Sequence, residues 1–187
     1  MFKATATLKS VSPLSQSKHY DVPEKEGESK ADYEARTWRN RMHSDSKGMV
    51  FIPPMAFKNA ISSAAAYLGM KIKGQGAKTF TKKFLSGVMV LDPLPLHVKS
   101  ADVEGEWLFV PSDGKIGGGK RVNKCFPVVQ NWEGEVTFHI LDNVITEKVF
   151  QKHLETAGKF IGLGRFRPER NGFYGRFEVM DLKWEEA

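Results

Sequence analysis

Glycines, arginines and aromatic residues alternate through residues 158–177, and this stretch constrains the fold more than any other part of the chain. Glycine lets a backbone approach a ligand closely, arginine pairs with phosphate, and flat rings stack on bases. The stretch follows a helix-like segment, residues 146–157, and precedes a strand-like one, residues 173–182, so we expect a loop held between two ordered elements. It predicts a nucleic-acid-binding loop; the alternative is an ordinary connection whose arginines are merely solvated.

The residues of this loop that we expect to contact nucleic acid are its cations and one ring. A second group consists of the loop glycines, of which Gly164 and Gly175 are expected where a Cβ atom would clash with the ligand or where the backbone is left-handed. The first group comprises Arg165, Phe166, Arg167 and Arg170, and the second comprises Gly162, Gly164, Gly172 and Gly175.

Two further windows of the chain are strongly basic. The chain has 28 Lys and Arg against 22 Asp and Glu, and this excess favours a polyanionic partner. Residues 71–83 contain five lysines and no acid, and residues 115–124 contain four bases and no acid. From these windows we expect phosphate contacts by Lys78, Lys82, Lys83, Lys120, Arg121 and Lys124.

The composition also predicts a compartment. Cys125 is the single cysteine, so it forms no intrachain disulfide, and its neighbours give no metal-ligand spacing. The N-terminal residues alternate apolar and polar types instead of forming a signal-peptide core, and no apolar run approaches the ~18 residues of a membrane span. The five histidines show no metal-binding spacing. We therefore expect a cytoplasmic protein with no metal, no cofactor and no membrane partner.

Hydrophobic periodicity predicts six core elements in one domain of residues 1–187. They are a strand at 2–8, a helix with Phe57, Ile61, Ala64 and Leu68 on one face, strands at 87–91 and 135–141, a helix at 146–157 and a strand at 173–182. This order predicts an α+β, ferredoxin-like (RRM-like) core with an antiparallel sheet, both helices on one face and an open face for RNA. Two large insertions interrupt it, at about 15–48 and 92–134.

The first insertion is polar, carries charges of both signs and is expected to be partly mobile. Within it, residues 31–42 are weakly helical and contain Tyr33, Trp38 and Arg39 among several arginines. This cluster is either a solvated helix or a functional arm. In the second case Trp38, like Phe166, would stack on or wedge between bases, with Arg39 beside it.

Two of these features together carry a resemblance to a known family. The first helix is preceded by Phe51-Ile52-Pro53-Pro54, and a glycine-rich loop containing Gly162-Leu163-Gly164-Arg165 and Gly172-Phe173-Tyr174-Gly175-Arg176-Phe177 precedes the last strand. In both respects the chain resembles the RAMP superfamily of RNA-binding proteins, and most of all the backbone subunits of CRISPR effector complexes. The resemblance implies copies assembled along a guide RNA, contacts with other subunits of the complex, and insertions that project as a thumb. A reduced, phage-encoded relative would fit it equally.

The sequence contains only weak matches to catalytic motifs. Residues 114–120 match the opening of a phosphate-binding P-loop, but Arg121 stands where Ser or Thr would hold magnesium. His19, His43 and Asp45 are single candidates for RNA cleavage without a second member of a catalytic group. We therefore expect no enzyme, with a metal-independent endoribonuclease as the remaining alternative.

The sequence thus predicts a protein that binds single-stranded nucleic acid, RNA before DNA, and oligomerises along it. Two other readings remain open at this stage. One is a phage-type mimic of a CRISPR subunit that blocks a complex by binding protein, and the other is a non-specific single-stranded DNA-binding protein of replication or recombination.

Overall fold

Nine strands and four α-helices build the part of the fold that the structure describes. The structure is a computed structural model that describes residues 1–112, 114, 117 and 119–187. The strands are β1 (Phe2–Ser10), β2 (Leu14–Ser15), β3 (Met49–Ile52), β4 (Val88–Val90), β5 (Leu94–Lys99), β6 (Glu104–Pro111), β7 (Arg121–Val129), β8 (Glu133–Ile140) and β9 (Phe177–Glu186). The helices are α1 (Lys30–Thr37), α2 (Pro54–Leu68), α3 (Thr81–Gly87) and α4 (Glu147–Thr156).

The main sheet is antiparallel and has the order β4-β8-β1-β9. β1 is central, pairing Phe2 with Ile140 of β8 on one side and with Glu186 of β9 on the other. Its predicted alternation is confirmed, since Ala4, Ala6 and Leu8 are fully buried. Together, β1, α2, β4, β8, α4 and β9 follow the predicted strand, helix, strand, strand, helix, strand order, and the α+β class with antiparallel sheets is confirmed.

Helices α2 and α4 cover one face of this sheet. Two prolines lead into α2, with Pro54 in its first turn, and Gly69 ends it in the left-handed conformation at φ 52°. The predicted core positions Phe57, Ile61 and Ala64 are buried. From α4, Phe150 packs edge-on against Phe138 of β8, with ring centroids 5.2 Å apart.

The opposite face of the sheet is polar. Its outward strand positions include Thr5 and Thr137, and ion pairs of 3.9 Å join Lys3 to Glu185 and Lys183 to Glu135. None of the strand residues that point away from the helices is Phe, Tyr or Trp. His139 supplies the one aromatic ring among these strand positions, so this face lacks the set of large rings on which an RRM-type sheet stacks its bases.

The two insertions pack against each other. β6 and β7 form a long hairpin, and β2 extends it to a three-stranded sheet. α1 and the turn that follows it lie against β7. The solvated-helix interpretation is wrong for this turn, because Trp38 is 6% exposed and lies beside Gly105 of β6 and Cys125 of β7.

A buried ion pair fastens α1 to the hairpin. Glu34 and Arg41 are joined at 2.6 Å, and Glu34 also accepts the backbone N–H of Cys125 at 2.7 Å. Arg41 in turn donates to the backbone carbonyl of Cys125. None of the helices in the described ranges is long and apolar enough to cross a membrane.

Candidate nucleic-acid interface

The loop of residues 162–176, here called the glycine loop, lies along residues 11–15. The N–H of Arg165 donates to Ser15 O at 2.7 Å, and the N–H of Gly175 donates to Pro13 O at 2.8 Å. Within the loop, Leu163 N–H donates to Gly175 O at 2.9 Å. These N–H groups therefore hold the loop in place and are not available as a phosphate nest.

The glycines of this loop are required by the protein itself. Gly164 and Gly175 have φ of 74° and 79°, in the left-handed region that favours glycine. A Cβ atom at Gly164 would overlap Ser15 O, and one at Gly175 would overlap Leu163 O. At Gly162 and Gly172 the obstacles are Pro168 and the backbone of Phe166. The left-handed backbone is present at Gly162, Gly164 and Gly175 but not at Gly172, and at all four the close approach is to the chain's own atoms.

Arg165 packs inside this site instead of extending into solvent. Its guanidinium Cζ lies 3.6 Å from the centroid of the Phe126 ring, and Arg41 lies over the same ring at 5.1 Å. Burial lowers the pKa of Arg165, although an arginine remains charged at neutral pH. Arg165 thus presents a fixed positive charge at the base of the loop.

A hydrogen bond ties the glycine loop to the hairpin. The hydroxyl of Tyr174 donates to Glu106 of β6. Burial, followed by this bond, raises the pKa of Tyr174, so the phenol keeps its proton at neutral pH. The bond fixes the distance between loop and hairpin and leaves an open groove between them.

This groove is the first of three adjoining sections that we call the furrow. The aromatic section has a volume of about 640 Å³ and lies between hairpin and glycine loop, lined by Leu108, Val110, Lys124, Phe126, Arg165, Phe166, Phe173 and Tyr174 among others. The central section, about 340 Å³, shares Ser17 and Arg165 with it. The third section, about 380 Å³, shares His43, Pro53, Gly164 and Arg167 with the central one and continues along α2. A continuous furrow suits a chain molecule better than a compact ligand.

The central section is basic. Lys18, Arg165 and Arg167 line it, and its described lining residues include no Asp or Glu. The first turn of α2 adds the positive end of a helix dipole beside Pro53. Burial, and secondarily Lys18, lowers the pKa of His43, which makes this ring neutral at pH 7. A phosphate group would find cations on several sides here.

Arg167 is partly engaged already. It donates to Glu169 through Nη2 at 2.6 Å and to Gly164 O through Nη1 at 3.3 Å. Phe166 is 54% exposed at the mouth of the aromatic section. Arg170 is exposed on the turn at residues 168–170 and lines none of the three sections.

The remaining predicted contacts are distributed elsewhere. Trp38 is a core residue and cannot stack on a base, so that prediction is wrong; Arg39 covers its ring at 4.1 Å and donates to Ser100 O. Lys78, Lys82 and Lys83 lie on the segment leading into α3 and on α3 itself, outside the furrow. Lys83 is paired with Asp142 at 2.8 Å.

The second basic window is divided by the hairpin. Lys124 lines both the aromatic section of the furrow and an adjoining groove between the hairpin and α1, whereas Lys120 and Arg121 line only that groove. Part of the suspected phosphate-binding loop, residues 113, 115, 116 and 118, lies outside the described residues.

Lys18 and Phe126 were missed by the sequence interpretation. Lys18 is an isolated lysine in a polar tract, and no local pattern marks it. Phe126 becomes part of the site only because β7 brings it beneath Arg165, a residue distant in the chain. Pairing of this kind leaves no short-range signal in the sequence.

Comparison with known proteins places the fold. No family model and no curated protein matches the sequence. Among solved structures, Cmr6 from Pyrococcus furiosus is 15% identical over 96% of this chain and 99% of its own, with a TM-score of 0.50. A chain of a CRISPR RNA-guided surveillance complex is 11% identical over 97% of this chain and 68% of its own, with a TM-score of 0.42. The likeness to Cmr6 shows the fold alone, and this fold agrees with the one that the resemblance implies.

Proposed function

We propose that this chain binds single-stranded RNA in the furrow and acts as a subunit of a CRISPR-type RNA-guided complex. The observation that carries the proposal is the central section, where Lys18, Arg165 and Arg167 converge without a carboxylate among its described lining residues. A section rich in aromatic side chains adjoins it directly. Cationic side chains next to aromatic ones are suited to a single nucleic-acid strand, whose phosphates and bases are both accessible.

Within this proposal each section has its own role. The three cations of the central section neutralise phosphates, and Arg165 is held in position by its stack on Phe126. Phe166 and Phe173, which are 54% and 58% exposed, stack on bases at the mouth of the aromatic section. Such contacts do not distinguish sequences, so we propose binding without sequence preference and without catalysis.

The fold supports the wider assignment. The antiparallel α+β core is consistent with the predicted ferredoxin-like, RRM-like arrangement, and the likeness to Cmr6 supports the proposed relation to RAMP subunits. From these we propose contacts with other subunits of such a complex and assembly of copies along one strand. The polar open face of the sheet makes the furrow, and not the sheet, the RNA-binding surface.

The test is the salt dependence of binding to a fluorescently labelled oligouridine. Lys18→Ala with Arg167→Ala should weaken binding and reduce the salt slope by about 1.4, since each phosphate contact on a single strand contributes ~0.7. The matched control is Lys148→Ala with Lys152→Ala, which removes equal charge from the exposed side of α4. Equal slopes for the two double variants would remove the furrow from the binding site.

Two additional measurements separate the alternatives. Competition with DNA of the same sequence distinguishes an RNA-binding subunit from a single-stranded DNA-binding protein. RNA recovered intact after long incubation is expected for a binding protein, and cleavage abolished by His43→Ala would favour the endoribonuclease. Absence of binding to either nucleic acid at low salt would favour the protein-binding mimic.

A further inference from the structure

The β6–β7 hairpin has two chemically different faces. Paired residues of an antiparallel ladder point to the same side, and neighbours along a strand point to opposite sides. Glu106 and its partner Phe126 face the glycine loop, where they contact Tyr174 and Arg165. Trp107, one residue further along β6, therefore lies on the side turned away from the furrow.

Two aromatic rings are exposed on that second side. Trp107 is 52% and Phe109 is 61% exposed, whereas Trp38 and Trp132 elsewhere in the chain are buried. Residues two apart on one strand are separated by about 7 Å and point the same way. The two rings therefore lie next to each other on one face of the hairpin, and each is more than half exposed.

Polar and cationic groups suited to nucleotides surround these rings. Asn123 is paired with Phe109 across the ladder and lies on the same face. The guanidinium of Arg121 lies 5.9 Å from the Phe109 ring centroid. Lys120 precedes it at the start of β7. On this side of the hairpin, a ring can stack on a base, an amide can hydrogen-bond a base edge, and the two cations can bind a phosphate.

The adjacent groove strengthens the basic character of this side. A groove of about 970 Å³ runs between hairpin and α1, lined by Phe109, Lys120, Arg121 and Asn123 together with Lys18 and Lys124. The two carboxylates among its described lining residues are already neutralised, Glu24 by Lys30 and Glu34 by Arg41. The cations therefore dominate the potential, which favours a polyanion over an apolar protein surface.

We propose that Trp107, Phe109, Arg121 and Asn123 form a second binding site for single-stranded nucleic acid, here called the hairpin platform. The rings stack on adjacent bases, Asn123 hydrogen-bonds a base edge, and Arg121 neutralises a phosphate. The hairpin thus separates two strands, one in the furrow and one on the platform. The class of ligand rests on the proposed function, but the site and its residues are distinct from the furrow.

The experiment counts strands and locates them. The probe is an oligouridine of about six nucleotides, short compared with a strand that would pass around the hairpin. Native protein should bind two equivalents and lose tryptophan fluorescence as the second equivalent stacks on Trp107. Trp107→Ser with Phe109→Ser should weaken the second equivalent by roughly 5- to 150-fold per ring, which corresponds to 1–3 kcal/mol per stacked base, and leave the first unchanged.

Two matched variants complete the design. Trp107→Phe keeps a ring, so it should retain two equivalents and lose most of the quenching. Arg167→Ala with Phe173→Ser alters the furrow only and should weaken the first equivalent.

The outcomes separate the two sites. If the native protein binds only one equivalent, and the furrow variant loses it, the proposed function stands and the platform is overturned. The platform is also overturned if the protein binds two equivalents and the Trp107→Ser, Phe109→Ser variant binds both of them as tightly as the native protein does. If the native protein binds no oligouridine, the proposed function itself is contradicted. If the serine variant changes only the mass of the free protein in solution, the two rings belong to a contact between copies of the chain.

Discussion

Arg165 lies over the ring of Phe126 with its guanidinium carbon 3.6 Å from the ring centroid, and this stack joins the glycine loop to the hairpin. A cation above an aromatic face is attracted by the ring's electrons, and partial burial strengthens the attraction because water is excluded. The same stack directs Arg165 toward the central section of the furrow. The stack therefore positions the charge of Arg165 and adds to the hydrogen bonds that hold the loop.

Phe126→Leu tests the contribution of the stack to loop stability and to the position of Arg165 without changing the charge of the protein. The variant loses the stack and should lower the free energy of unfolding by about 1–2 kcal/mol, measured in urea. Binding to oligouridine should weaken because Arg165 loses its fixed position, while the salt slope stays that of the native protein because no charge is removed. A reduced slope would show instead that the cation had left the site.

Gly175→Ala tests why the loop needs glycine. The new Cβ atom would overlap Leu163 O at a residue whose φ is 79°. Gly27 provides the control, since its φ is 72° and the space around its Cβ position is empty. We expect Gly27→Ala to cost about 1–2 kcal/mol from backbone strain alone and Gly175→Ala to cost more than about 3 kcal/mol. Equal losses in urea unfolding would mean that the overlap is relieved without cost.

The buried pair of Glu34 and Arg41 predicts a strongly non-additive result. Glu34→Ala leaves Arg41 buried without its carboxylate and the Cys125 N–H without its acceptor, so the loss should reach about 3–5 kcal/mol. Adding Arg41→Met removes the unpaired charge and should restore part of the stability. A double-mutant cycle in urea measures the coupling, and simple additivity would contradict the pair's role as a fastening between α1 and β7.

Sequence reasoning was accurate where structure is local. The alternation of β1 and the spacing of Phe57, Ile61 and Ala64 on α2 give their burial directly. Trp38 was misplaced because its neighbours, Gly105 and Cys125, come from the second insertion, and nothing local shows that the two insertions form a joint core. A weakly helical, polar segment therefore resembled a solvated arm.

The sequence marked the glycine loop as a candidate but did not predict how the loop packs. The glycine loop does lie in the furrow, yet its glycines accommodate Ser15 O and Leu163 O and not a ligand. Trp107 and Phe109 escaped notice because their exposure depends on which elements pack against each face of the hairpin. Burial of a strand face is a tertiary property that alternation alone cannot assign.

Stability should fall in mild acid because of His153. This ring is buried against Phe84, its Nδ1 contacts Val149 O, and its Nε2 has no hydrogen-bond partner in the described structure. Burial lowers the pKa of His153 below its ordinary value of 6.5, with Lys152 adding to the effect. The folded state thus binds fewer protons than the unfolded state, so stability is complete above about pH 6.5 and decreases as the pH falls below it.

His153→Leu should flatten this dependence. The comparison is the urea midpoint at about pH 7.5 and pH 5.5 for the native protein and the variant. His43, whose pKa burial and Lys18 also lower, accounts for part of the remaining slope, and His43→Asn identifies that part. If neither substitution changes the dependence of the urea midpoint on pH, the loss of stability in acid comes from the carboxylates.

The lysines near α3 test how far the nucleic-acid path extends. Lys78 and Lys82 are exposed but line no section of the furrow, and Lys83 is paired with Asp142. Lys78→Glu with Lys82→Glu should therefore leave the affinity for a short oligouridine nearly unchanged, apart from a small general effect of net charge that salt screens. On a long strand, where neighbouring copies meet, the same change should lower the affinity only if these lysines contact RNA held by the next copy. Sedimentation on long and short strands distinguishes the cases, and a loss of short-strand affinity as large as that of Lys18→Ala with Arg167→Ala would show that the RNA path leaves the furrow toward α3.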